Sequence, residues 1–144
     1  MDTFKIKKLK ENAKIPFRAT PGSAGMDLYA CIDEPITLEG GEKAVIPTGI
    51  AIELPSAELA AFVFARSGLA IKHGIGLLNS VGVIDSDYRG EICVGLINQL
   101  KEPSALVQIY GIPIVAARDK PFQRVVRGVI RRFLFIPLCF LDDK

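Results

Sequence analysis

Three short segments gather most of the residue types that could do chemistry. The first is Gly22-Ser23-Ala24-Gly25-Met26-Asp27-Leu28, in which small residues allow close backbone approach and lead to a lone acid. Alone, it reads as a loop entering a strand, with Asp27 accepting from nearby N–H groups. The second is Ala65-Arg66-Ser67-Gly68-Leu69-Ala70, where a strand ends and a helix begins. Free N–H groups at a helix start, a hydroxyl and a guanidinium suit a phosphate, and the same pattern suits an N-cap beside a surface arginine. The third is Gly82-Val83-Ile84-Asp85-Ser86-Asp87-Tyr88-Arg89-Gly90-Glu91, two acids at i and i+2 followed by Tyr and Arg-Gly. It reads as a charged hairpin turn, or as an acid that activates water beside a ring that packs on a base or sugar. His73 is the only histidine, so a multi-histidine metal site is excluded. Cys93 has no plausible base beside it and is assigned to the core.

The elements that must hold these residues are short. Thirteen Gly and nine Pro punctuate 144 residues, and few windows could hold a long helix. Runs rich in Val, Ile and Phe predict strands at 4–9, 26–30, 36–38, 43–46, 50–54, 59–64, 76–79, 92–98 and 106–110. One short helix is predicted over Gly68–Lys72, capped by Ser67 and ended by Gly74. Many short strands between turn signals imply an all-β sandwich, barrel or jelly roll with one short helix.

Composition bounds the class. Hydrophobic residues make up 49% and charged residues 24%, which excludes a disordered chain. The length fits a single domain spanning residues 1–144. The longest apolar run, Phe133 to Leu141, is interrupted by Pro137 and is too short for a membrane span. The N-terminus alternates lysine with apolar residues, unlike a signal peptide. Cys31, Cys93 and Cys139 share no CxxC spacing, which argues against a disulfide framework or a zinc site. A cytoplasmic protein without membrane partners is expected. Of the net charge of +2, residues 1–102 contribute −2 (11 Lys/Arg against 13 Asp/Glu) and residues 103–144 contribute +4 (7 against 3). The basic excess lies between Arg118 and Arg132 and reads as a solvated face. No helix-turn-helix or aromatic-interleaved pattern accompanies it, so no nucleic-acid partner is expected.

Taken together, the three segments resemble the motifs of the trimeric dUTP diphosphatase (dUTPase) family, in order and at family spacing. The first motif matches Ala24-Gly25-Met26-Asp27-Leu28, preceded by Arg18-Ala19-Thr20-Pro21-Gly22-Ser23. Ile46-Pro47-Thr48-Gly49-Ile50 also resembles the family. The second matches Arg66-Ser67-Gly68-Leu69-Ala70 with Lys72-His73-Gly74-Ile75, although Ala65 stands where the family usually has Pro. The third is the segment from Gly82 to Glu91. The resemblance covers roughly the first 100 residues and implies a jelly-roll-like β-barrel assembled as a homotrimer, with active sites between subunits.

The activity it implies is hydrolysis of dUTP to dUMP and pyrophosphate. Asp85 then matches the base that takes a proton from water. Mg²⁺ is the implied cofactor, held through water by Asp27. Arg66 and Ser67, with Gly68 beside them, match phosphate contacts. Asn79, Gly82, Val83 and Ile84 fall on the segment resembling the uracil pocket. Tyr88 matches the ring under the deoxyribose, leaving no room for a 2′-hydroxyl. The best match to the family's fourth motif is Arg127-Gly128-Val129-Ile130-Arg131-Arg132-Phe133, where Arg131 and Arg132 replace Ala-Gln. No glycine-rich fifth motif with an aromatic residue follows. Residues 103–144 are therefore read as divergent, with a lower rate expected from lost closure. Two alternatives accompany this reading: a weakened or inactive nucleotide-binding relative with a regulatory role, and a dCTP deaminase, which the third motif fits poorly.

Overall fold

The computed structural model describes residues 4–106 and 132–137. Within them the chain forms ten short strands and one helix. These are β1 (Lys5–Lys8), β2 (Ile36–Leu38), β3 (Lys43–Pro47), β4 (Ile50–Glu53), β5 (Leu59–Phe64), α1 (Ser67–His73), β6 (Ile75–Leu77), β7 (Val81–Ile84), β8 (Cys93–Asn98), β9 (Ser104–Leu106) and β10 (Arg132–Pro137). They pair as four small sheets, β1-β4, β10-β5-β7, β2-β9 and β3-β8-β6. Every pairing is antiparallel except β10 with β5, which is parallel.

The expected all-β class with one short helix is what the chain adopts. The pairing that positions the site is β5 against β7. Its register sets Ala61 opposite Ile84 and Phe64 opposite Val81. The second motif leaves the Phe64 end of β5, and the acid of the third motif leaves the Ile84 end of β7. β7 is an edge strand of its sheet.

The core forms where the sheets face one another. Leu28, Leu38, Ile46, Ile50, Leu69, Ile75 and Leu96 are fully buried side chains within it. Along β8 the pleat sends Val94, Leu96 and Asn98 inward and Cys93 outward. That parity corrects the expectation that Cys93 is a core residue: a strand whose even positions are buried must present its odd ones elsewhere.

Several sequence boundaries move. The run 26–30 is no sheet strand; it carries a single bridge, Phe17 to Asp27. Asp27, Leu28 and Tyr29 are buried consecutively, which the two-sided alternation of a strand on one core does not produce. β7 forms where composition predicts a turn. The strand predicted at 106–110 begins earlier, at Ser104, and residues 107–110 lie outside the described residues. So does Arg131 of the fourth-motif match, while Arg132 opens β10.

Candidate active site

The loop before Asp27 is tied internally. Arg18 donates to the Ser23 carbonyl at 2.8 Å, and the Ser23 hydroxyl accepts from the Thr20 N–H at 2.9 Å. The Asp27 N–H donates to the Phe17 carbonyl at 2.9 Å. These contacts carry Asp27 into the interior, where it is 2% exposed. Its Oδ2 has no hydrogen-bond partner among the described residues, so this oxygen is not the turn acceptor that the sequence allowed. Burial pushes the carboxyl above its ordinary range, and the nearby Arg66 guanidinium opposes the shift.

Tyr29 lies beside it, and no sequence motif points to it. Its ring stacks on Phe17 with centroids 5.8 Å apart, and the Lys14 ammonium lies 5.2 Å from its centroid. Its buried hydroxyl is also unpartnered among the described residues. Burial raises the phenol's pKa, the Asp27 charge raises it further, and Arg66 opposes both. The first and second motifs are thus electrostatic neighbours.

Arg66 itself is the N-cap of α1, in extended conformation and without a side-chain cap bond. Ser67 is therefore the first helical residue, which corrects its expected role as cap. Its hydroxyl is not used in closing the helix start. Ser67 and Gly68 are exposed, and nothing would meet a Cβ added at Gly68. An exposed hydroxyl, a guanidinium and first-turn N–H groups without intrahelical acceptors can together cradle an anion. Gly74 ends the helix as expected, in the left-handed conformation, with its N–H on the Ala70 carbonyl at 3.0 Å.

The third motif starts from a tight turn. Ser80 has a φ of 61°, and the Val81 N–H donates to the Asn79 carbonyl at 2.6 Å. Asn79 is exposed, Val83 is 59% exposed, and Ile84 is buried. Gly82 lies close against β5, since a Cβ there would sit 3.0 Å from the Val63 Cβ. Asp85 is exposed immediately after β7. The Tyr88 N–H turns back to the Asp85 carbonyl at 3.1 Å. The Tyr88 ring is 45% exposed, with its hydroxyl donating to the Glu91 carbonyl at 2.8 Å. Arg89 donates to the Ser86 and Tyr88 carbonyls.

The structure therefore brings Asp27 and Arg66 together, and sets Arg66 and Ser67 at the end of the sheet where Asn79 enters β7. It does not bring Asp85 to them. Asp85 continues past Ile84, which faces Ala61, so its level along β5 is that of Ala60. From that level to Arg66 is six residues, or roughly 20 Å at strand rise.

Comparison with known proteins decides the family. The dUTPase family model matches residues 11–107. The chain belongs to the dUTPase family. Among curated relatives, the deoxyuridine 5'-triphosphate nucleotidohydrolase of Desulfitobacterium hafniense (strain Y51) is 56% identical over 107 residues, covering 72% of this chain and 71% of its own. The protein of the same name from Thiobacillus denitrificans is 46% identical over 124 residues, covering 80% and 85%. The solved dUTPase of phage phi11 of S. aureus is similar in fold, with a TM-score of 0.66 at 22% identity, covering 83% of this chain and 93% of that one. A mutant of that phage dUTPase has been described with a structural Mg(II) ion. The dUTPase fold thus accounts for the jelly-roll-like β architecture.

Proposed function

We propose that this dUTPase-family chain hydrolyses dUTP to dUMP and pyrophosphate. The observation that carries the reading is an exposed carboxylate, Asp85, standing directly at the end of a strand that, among the described residues, is an edge of its sheet. Such an edge can pair with the hydrogen-bonding face of a pyrimidine, as it would with another strand. Asn79, Gly82, Val83 and Ile84 line that edge for uracil. The ring of Tyr88 underlies the sugar and excludes a 2′-hydroxyl by sterics.

Asp85 takes a proton from water as the water oxygen bonds to the α-phosphorus. The bond from that phosphorus to the bridging oxygen breaks, and pyrophosphate leaves. Arg66, Ser67 and Gly68 bind the phosphates. The buried, unpartnered Oδ2 of Asp27 is a hard oxygen donor that suits the water shell of a divalent cation. No group of three or more metal-ligating side chains exists among the described residues. Bound Mg²⁺ supplies positive charge against the triphosphate.

The separation of Asp85 from Arg66 within one chain supports a site completed by a second copy, and hence a homotrimer with sites between protomers. No helix among the described residues is long and apolar enough to cross a membrane; a cytoplasmic location is proposed with the activity. The test is pyrophosphate release from dUTP with Mg²⁺. Release by the native chain, and loss of it in Asp85→Asn, is expected. Equal release from the two proteins overturns the role of Asp85, and no release from either overturns the activity.

A further inference from the structure

We infer that Gly90, Glu91 and the Thr48–Gly49–Ile50 turn are positioning residues for the Tyr88 ring, and so set how strictly the sugar is read. This rests on the proposed role of Tyr88. The ring projects from an exposed loop, and its hydroxyl is held by one acceptor, the Glu91 carbonyl at 2.8 Å. An exposed aromatic side chain excludes a hydroxyl group only if it cannot swing away, so what fixes residue 91 fixes the exclusion.

Residue 91 is itself fixed by a neighbouring turn. The Glu91 Oε1 accepts from the Gly49 N–H at 2.7 Å, a charge-assisted bond. The Ile92 N–H donates to the Ile50 carbonyl at 2.9 Å. The Ile92 carbonyl accepts from the Thr48 N–H at 3.2 Å and from the buried Thr48 hydroxyl at 2.6 Å. Four bonds therefore fasten residues 91 and 92 to the turn between β3 and β4. That turn is itself immobilised in the core. Gly49 has a φ of 68°, and a Cβ there would meet Ala13 Cβ at 2.7 Å and Cys31 Sγ at 2.8 Å.

Gly90 supplies the space. A Cβ at this position would lie 2.6 Å from the Tyr88 hydroxyl oxygen and 2.8 Å from the carbon that bears it. The atoms in the way are the far end of a side chain on an exposed loop. An alanine would therefore move the ring before it moved the backbone. Thr48 and Gly49 lie about 40 residues before the ring they support, and Thr48 is buried in the core.

The experiment measures kcat/KM for dUTP and for UTP in the assembled protein. Tyr88→Ala, Gly90→Ala, Glu91→Ala and Glu91→Gln are compared with the native chain, and melting temperatures are recorded in parallel. Gly90→Ala and Glu91→Ala are each expected to lower the dUTP-to-UTP ratio by about tenfold or more. Glu91→Gln keeps an acceptor for the Gly49 N–H and is expected to keep the ratio. A purely structural role would lower the melting temperature and both rates together with the ratio intact, and that result overturns the inference. If either alanine variant fails to fold, the other decides. Should Tyr88→Ala itself leave the ratio unchanged, the proposed role of Tyr88 fails; should it collapse the ratio while Gly90→Ala and Glu91→Ala do not, the inference alone fails.

Discussion

Two inactive variants should restore activity to each other when mixed. Within one chain, Asp85 stands at the level of Ala60 and Arg66 lies six residues further along the same strand direction. Extended at strand rise, that is roughly 20 Å between the two backbone positions, which favours carboxylate and guanidinium serving different nucleotides within one chain. On the proposed reading, the base and the guanidinium that serve one nucleotide come from different protomers. Asp85→Asn and Arg66→Gln should each reduce kcat by about 100-fold or more in a uniform trimer. In a cyclic trimer built from both variants, the three junctions comprise one between like chains and two between unlike chains. Only one of the unlike junctions joins an intact Asp85 to an intact Arg66. Hybrids of either stoichiometry should therefore show about one third of native activity. The assay is pyrophosphate release by hybrids carrying two different affinity tags, purified on both after co-expression. Activity no higher than that of the parent variants would place both residues in a site built by one chain and would refute the register argument.

Replacing the buried acid should separate stability from activity. Asp27→Asn is expected to raise unfolding stability by about 1 kcal/mol at neutral pH without added cation, because the desolvation cost of the buried carboxylate outweighs its attraction to Arg66. The native carboxyl titrates above its unfolded value, so its neutral form stabilises the fold at low pH and that contribution is lost as pH rises through the folded pKa. The advantage of Asp27→Asn should accordingly grow with pH in thermal scans at fixed protomer concentration, and the variant should lose Mg²⁺-dependent hydrolysis; a variant less stable than native at every pH contradicts this. Asn98→Ala should cost about 3 kcal/mol in urea unfolding, since the fully buried amide donates to the Leu38 and Glu102 carbonyls and accepts from the Leu100 N–H. A cost below about 1 kcal/mol would mean that water replaces those bonds.

The strands at 36–38 and 59–64 are legible to the residue because their β-rich composition ends at clear turn signals. The elements that composition does not reveal have physical reasons. β7 lies inside a segment rich in glycine and acids, and its strand character comes from pairing with β5 rather than from propensity. Cys93 looks like a core residue by type, but its burial depends on the parity of β8, which a one-residue error reverses. The parallel partnership of β10 with β5 joins residues far apart in the chain, and no local pattern encodes it. At the candidate site, the sequence offers residue types and their order but not their arrangement. Asp27, Arg66 and Asp85 stand out by type and order, whereas the burial of Asp27, its proximity to Arg66 and the distance to Asp85 emerge only from the fold. Glu91 carries the one hidden signal: an acid directly after Arg89-Gly90, whose role depends on a turn 42 residues earlier.

The two unpartnered polar atoms, Asp27 Oδ2 and the Tyr29 hydroxyl, connect stability to function. Buried polar groups are nearly always hydrogen-bonded, because leaving one unpaired costs about 1–3 kcal/mol. Here two occur close together in sequence, beside an arginine of the second motif. The single chain therefore carries an unrelieved burial cost at this point. A hydrated cation or an assembling copy can relieve the cost by supplying donors to Oδ2. Relief of a penalty in the free chain appears as binding energy, so the same burial that weakens the isolated fold strengthens its preference for the liganded state. Stability and ligand affinity at Asp27 should thus change in opposite directions upon mutation, which distinguishes a residue kept for binding from one kept for folding.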